Sequence, residues 1–169
     1  MSARLCSLLL AITIGIAGCS RADEPKPDPS TSKSTSAPLV LAPPGLRFVK
    51  VGAGDDASTL IKAERDRAKA EGRDTVVYIG AKWCEPCQRF HHAAQKGELD
   101  NEFPNLTVIE FDLDEDRDRV VKAGYSSTYI PLFVVPGPDG RASDKRFEGG
   151  VKGERAVANL TPKLHALFD

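Results

Sequence analysis

The chain has 169 residues, with 23 Lys and Arg against 24 Asp and Glu, a formal charge of −1. That length holds one domain and little else. The near balance of charge excludes nucleic acid and acidic membrane surfaces as partners, because both require a concentrated positive field.

In chain order the first feature is a basic start, Met1 to Arg4, followed by an apolar run from Leu5 to Ala17 interrupted by Ser7 and Thr13. The run is too short to cross a bilayer, which takes roughly 20 apolar residues, but it suits the central part of a secretory signal. It closes on Ile16-Ala17-Gly18-Cys19, which resembles the lipobox of bacterial lipoproteins. The resemblance implies that residues 1–18 are a signal removed on export and that the Cys19 thiol carries a diacylglyceryl group. The alternative is an ordinary signal cut, for instance, after Ala22. Ser20 after the Cys favours the outer membrane by the same resemblance. Cys6 would leave with the signal, so Cys84 and Cys87 remain as a pair in an oxidising compartment.

Residues 19–44 then read as the lipidated Cys and a tether. Pro25, Pro27, Pro29, Pro38, Pro43 and Pro44 stand among Ser, Thr, Lys and Asp, with no aromatic residue. Such a stretch buries too little surface to offset its ordering entropy and is expected to be disordered. As a flexible coil it would reach roughly 25–30 Å.

The folded domain is predicted over 45–169. Leu46 to Val51 alternates as a short strand, and Ala57 to Glu71 reads as a helix closed by Gly72. Thr75-Val76-Val77-Tyr78-Ile79 is a β-prone run of the kind buried on both faces. A helix follows Cys84, then a strand at Leu106 to Leu113 and a short helix around Arg117 to Ala123. The acidic run Asp112 to Asp118 lacks the Gly and terminal Glu of a calcium loop and reads as a loop with a charged helix start. A strand at Leu132 to Val135 leads into the turn Pro136-Gly137-Pro138-Asp139-Gly140. A short strand near Arg146 to Glu148 precedes a helix from about Glu154, which Pro162 is expected to kink or divide. Strands alternating with helices and ending in a hairpin predict a single α/β domain, a mixed central sheet with helices on both faces.

Trp83-Cys84-Glu85-Pro86-Cys87 carries the chemistry. It follows the buried strand and opens a helix, whose free N–H groups and dipole stabilise a thiolate, the nucleophile in disulfide exchange. Pro86 is tolerated in the first turn, and three residues on Cys87 returns to the same face. Cys84 is therefore the candidate nucleophile and Cys87 the resolving thiol. Other readings compete. A structural disulfide closing so short a loop constrains the unfolded chain little. A zinc knuckle needs a second Cys pair, and a c-type haem site needs His where Gln88 stands. A Cys84/Cys87/His91 metal site is geometrically conceivable, although His91 and His92 are expected to face solvent. The conclusion is no metal and no cofactor beyond a redox-active Cys84–Cys87 disulfide.

Ala81-Lys82-Trp83-Cys84-Glu85-Pro86-Cys87 resembles the active-site segment of the thioredoxin superfamily, most closely its periplasmic thiol-reductase members. Tyr129-Ile130-Pro131-Leu132-Phe133 is similar to the family's cis-proline strand, Asp139-Gly140 to its hairpin turn and Glu148-Gly149-Gly150 to the bend before its last helix. The resemblance implies a thioredoxin-like domain with a cis bond before Pro131, beside the sulfurs. There the backbone of Ile130 pairs with an extended substrate, and Trp83 is expected to pack and contact it. Two departures stand out. Where the family often has a buried Asp that assists proton transfer to the resolving sulfur, this chain has Tyr78, and where the Asp has a Lys partner this chain has Glu110. Glu110 is thus either an acid–base group supplied from the other strand or a solvated edge carboxylate. Glu85 places a negative charge beside Cys84 and, with Pro86, lacks the His of strongly oxidising relatives. Glu85, Pro86 and Glu110 are the candidate modulators.

These readings make the chain a thiol–disulfide oxidoreductase of the bacterial cell envelope, facing the periplasm and acting as a reductase. Its expected partners are disulfide-containing envelope proteins, an upstream thiol electron donor and the membrane through the N-terminal lipid, and it is expected to be a monomer. The rival reading from another class is a non-enzymatic thioredoxin-fold metal chaperone or protein-binding module.

Overall fold

β-Branched and aromatic side chains at alternating positions of two central strands give the molecule its two cores. The computed structural model of the protein describes residues 43–52, 54 and 56–169; the signal-like segment, Cys19 and the tether up to residue 42 lie outside the described residues. Along the described chain run β1 (Arg47–Lys50), α1 (Ala57–Ala70), β2 (Asp74–Gly80), α2 (Glu85–Gln95), β3 (Leu106–Asp112), α3 (Leu113–Lys122), β4 (Leu132–Pro136), β5 (Ala142–Glu148) and α4 (Ala156–His165).

The sheet has the order β1-β3-β2-β4-β5. Its first three strands in that order are parallel, β4 runs antiparallel to β2, and β5 runs antiparallel to β4. Successive residues of β2 point to opposite faces. Val76 and Tyr78 pack with Phe90 of α2 and Leu160 and Leu164 of α4. Val77 and Ile79 pack with Ile61 of α1 and Val120 of α3. This is the predicted α/β domain, a mixed sheet with helices on both faces. Burial on both faces explains why β2 is apolar throughout rather than alternating.

Three boundaries differ from the prediction. Helix α3 starts at Leu113 rather than near Arg117, because Asp112 caps it by accepting the Asp114 N–H at 2.9 Å. The run Asp114-Glu115-Asp116 therefore forms the first turn, where carboxylates favour the positive end of the dipole. Strand β5 begins at Ala142, several residues early, held by its pairing with β4 across a register shift. Helix α4 runs on through Pro162, which does not divide it.

The chain enters the domain under a clamp that nothing in the sequence pattern marks. The buried Arg73 guanidinium donates to the carbonyls of Pro43, Gly45 and Leu106 and to Thr107 Oγ1. A buried cation is costly unless its donors are satisfied, and here carbonyl dipoles satisfy them.

Candidate active site

At the carboxyl end of β2 the chain turns through Ala81-Lys82-Trp83, closed by a Cys84 N–H to Ala81 carbonyl bond of 3.1 Å. Cys84 is the N-cap of α2, and its sulfur accepts the Cys87 N–H at 3.3 Å. Cys84 and Cys87 form a disulfide, with Cα atoms 5.2 Å apart. Cys84 is 4 % and Cys87 2 % exposed, so accessibility alone barely separates them. Position does separate them. Cys84 stands at the uncompensated N–H groups of the helix, whereas Cys87 lies inside its first turn; both belong to the core formed with Phe90 and Phe133.

The register Ile79↔Leu132 between the antiparallel strands β2 and β4 sets the start of β4 beside the end of β2. Pro131 immediately precedes β4, so the fold brings it to the same edge as the cysteines. The Ile130–Pro131 peptide is cis, as the resemblance implied. The Pro131 carbonyl accepts the Gly149 N–H at 2.8 Å, which locks this corner to the end of β5. A Cβ at Gly150 would lie 3.5 Å from Pro86 and 3.2 Å from Leu160, so the bend after β5 rests on the first turn of α2. Ile130 is half-buried against the core that holds both cysteines.

Trp83 is 64 % exposed, and its indole N–H donates to Asp114 Oδ2 at 2.8 Å. Tyr129 is 66 % exposed. Glu85 also differs from expectation. Its carboxylate pairs with Arg89 one turn along and accepts the Gly153 N–H through both oxygens, at 3.1 and 3.2 Å. Those bonds, the one from Arg89 foremost, hold its carboxyl below the usual range. Its negative charge is therefore balanced locally rather than opposed to Cys84 alone.

Behind Cys87 lies an open cleft of about 360 Å³ lined by Cys87, Tyr78, His91 and Glu110 among others. Tyr78 and Glu110 are register partners on adjacent strands, facing α2. Gly80 makes room for the phenol, since a Cβ there would lie 2.2 Å from the Tyr78 oxygen. Burial, reinforced by Glu110, pushes the Tyr78 phenol far above its ordinary range. His91 does not face solvent: its ring stacks on Phe48 at 4.3 Å, and Nε2 lies 2.8 Å from Glu110 Oε1. Glu110 is therefore not a solvated edge carboxylate. The i, i+4 spacing from Cys87 to His91 carried this signal, because it puts both on one face of α2. Asp114 and Gly153 were missed, and only their tertiary contacts mark them; Arg89 was missed although its i, i+4 spacing from Glu85 carried the signal. Among the described residues no group of three or more His, Cys, Asp or Glu is arranged to hold a metal ion.

Over 84 residues the chain is 32% identical to thioredoxin Asp f 28 of Aspergillus fumigatus, a match covering 50% of this chain and 73% of that one. Over 123 residues it is 28% identical to the mitochondrial thioredoxin O2 of Arabidopsis thaliana, covering 69% of each. The crystal structure of oxidised thioredoxin O1 from the same plant matches with a TM-score of 0.46 at 18% identity, covering 74% of this chain and 99% of that one. No protein-family model matches the chain.

Proposed function

The chain belongs to the thioredoxin family, and from that premise we propose that this thiol–disulfide oxidoreductase works as a reductase tethered in the bacterial cell envelope. One observation carries the chemistry: Cys84 caps the N-terminus of α2 and is joined there to Cys87. In the dithiol form the Cys84 thiolate attacks a substrate disulfide. A Cys84–substrate S–S bond forms, and the first substrate sulfur leaves as a thiolate that takes up a proton. Cys87 then loses its proton and attacks Cys84 Sγ, which releases the second substrate thiol and closes the Cys84–Cys87 disulfide. Two electrons pass from protein to substrate, and an external thiol donor restores the dithiol. Ile130, Pro131 and the exposed Trp83 and Tyr129 frame the edge at which an extended substrate would lie.

The direction rests on what lies between the cysteines. Glu85 and Pro86 bring no positive charge to Cys84, and Arg89 is engaged by Glu85. A thiolate with so little added stabilisation makes the dithiol the better electron donor. The envelope location rests on Cys19 at the end of an apolar signal-like run, and disulfide-containing envelope proteins are the substrates that location implies.

The reduced protein should turn over a protein disulfide repeatedly when a dithiol donor is supplied, and Cys84→Ser should abolish this. Turnover that survives Cys84→Ser, or wild-type protein with none, would refute the reading.

A further inference from the structure

The loop that carries Ile130 and Pro131 to the disulfide has little structure of its own. Residues 126–129 are exposed and lie in no helix or strand, and among the described residues no backbone–backbone hydrogen bond reaches them. Two side chains of β5 hold them instead. Arg146 donates to the Ser126 carbonyl, and Glu148 Oε2 accepts the Thr128 N–H at 2.9 Å. The strand aims both side chains there for a local reason. Phe147 packs on the core that holds the cysteines, its ring stacked on Phe133 at 4.9 Å. Side chains alternate along a strand, so half-buried Arg146 and Glu148 point to the opposite face. Their register partners there, Val134 and Leu132, belong to the core that also buries Tyr125, where the loop begins. With the Gly149 N–H on the Pro131 carbonyl at 2.8 Å, the end of β5 pins the segment at three backbone groups.

We propose that Glu148, together with Arg146, is a positioning residue that holds residues 126–130 in the conformation that receives an extended substrate. The inference rests on the reductase reading above. Main-chain pairing adds affinity only when the receiving backbone is already in place, since ordering it at each encounter costs conformational entropy. Both side chains act through the loop rather than on the sulfurs. A disulfide too small to reach the loop gains nothing from the brace, so the brace selects for disulfides carried within a peptide chain.

Two substrates that release the same coloured aromatic thiolate test this. In one, the central cysteine of an extended peptide carries the aromatic thiol in disulfide linkage; in the other, free cysteine carries it. Cys84 of the reduced protein attacks the cysteine sulfur in both, so only the flanking chain differs. Wild type should react about tenfold faster with the peptide. Glu148→Ala should lower this peptide-to-cysteine ratio about fivefold, the effect of one hydrogen bond that orders a binding segment, by raising the half-saturating peptide concentration rather than lowering the limiting rate. Glu148→Gln keeps an acceptor oxygen and should restore the ratio to within about twofold of wild type. Arg146→Ala should lower the ratio in the same direction, and decides alone if Glu148→Ala does not fold. A ratio unchanged by these alanine variants, a Gln variant no better than Ala, or a wild type without preference for the peptide overturns the inference and leaves the reductase reading intact. A wild-type protein that releases thiolate from neither substrate overturns both.

Discussion

Glu85 shows how a tertiary contact changes the meaning of a residue. Read alone, its charge opposes the Cys84 thiolate; in the fold it is matched by Arg89 and anchored on the Gly153 N–H. Charges add, so removing either member should move Cys84 in opposite directions. Glu85→Gln should lower the Cys84 thiol pKa and Arg89→Gln should raise it, each by less than about one unit, because water screens groups this exposed. The double variant should return close to wild type, and salt should shrink both single effects. Thiolate absorbance against pH reads all three; a Glu85→Gln protein with an unchanged or raised Cys84 pKa would show that the carboxylate does not act on the sulfur. Single residues were the hardest part to read from the sequence. The cysteines, Pro86 and Pro131 announce themselves by local pattern, as does the i, i+4 pair of Glu85 with Arg89, whereas the contact of Glu85 with Gly153, 68 residues away, leaves no local trace.

At the scale of elements, legibility followed the locality of the cause. Strand β2 and helix α1 were predicted nearly to the residue, since a β-prone run and a terminal Gly are local signals. The start of α3 was missed by several residues, because the charges that looked like a loop are its capping box of acids, with Asp112 as the cap. Strand β5 was shortened for a different reason. Its first residues, Ala142-Ser143-Asp144, carry no β signal and are extended only because β4 lies beside them. Helix α4 keeps its course through Pro162 since its buried face, Ala156, Leu160 and Leu164, is docked on the sheet. The redox site sits where strongly local elements meet: the end of β2, the start of α2 and the cis corner before β4.

Over the whole molecule, a redox domain follows an N-terminal segment whose residues up to 42 lie outside the described residues. With Cys19 as acyl acceptor, the mature protein should partition with membranes and carry a lipid mass, and Cys19→Ser should leave unprocessed precursor. Native protein recovered wholly soluble, without that mass, would remove the anchor from the account but not the chemistry of the domain. For that chemistry, the most direct measurement is the intact and peptide mass of Cys87→Ser protein after it meets a disulfide substrate. The account predicts a persistent mixed disulfide mapped to Cys84, because the resolving thiol is gone, and no comparable adduct on Cys87 when Cys84→Ser is treated in the same way. An adduct that forms equally on Cys87, or none on Cys84, would contradict it.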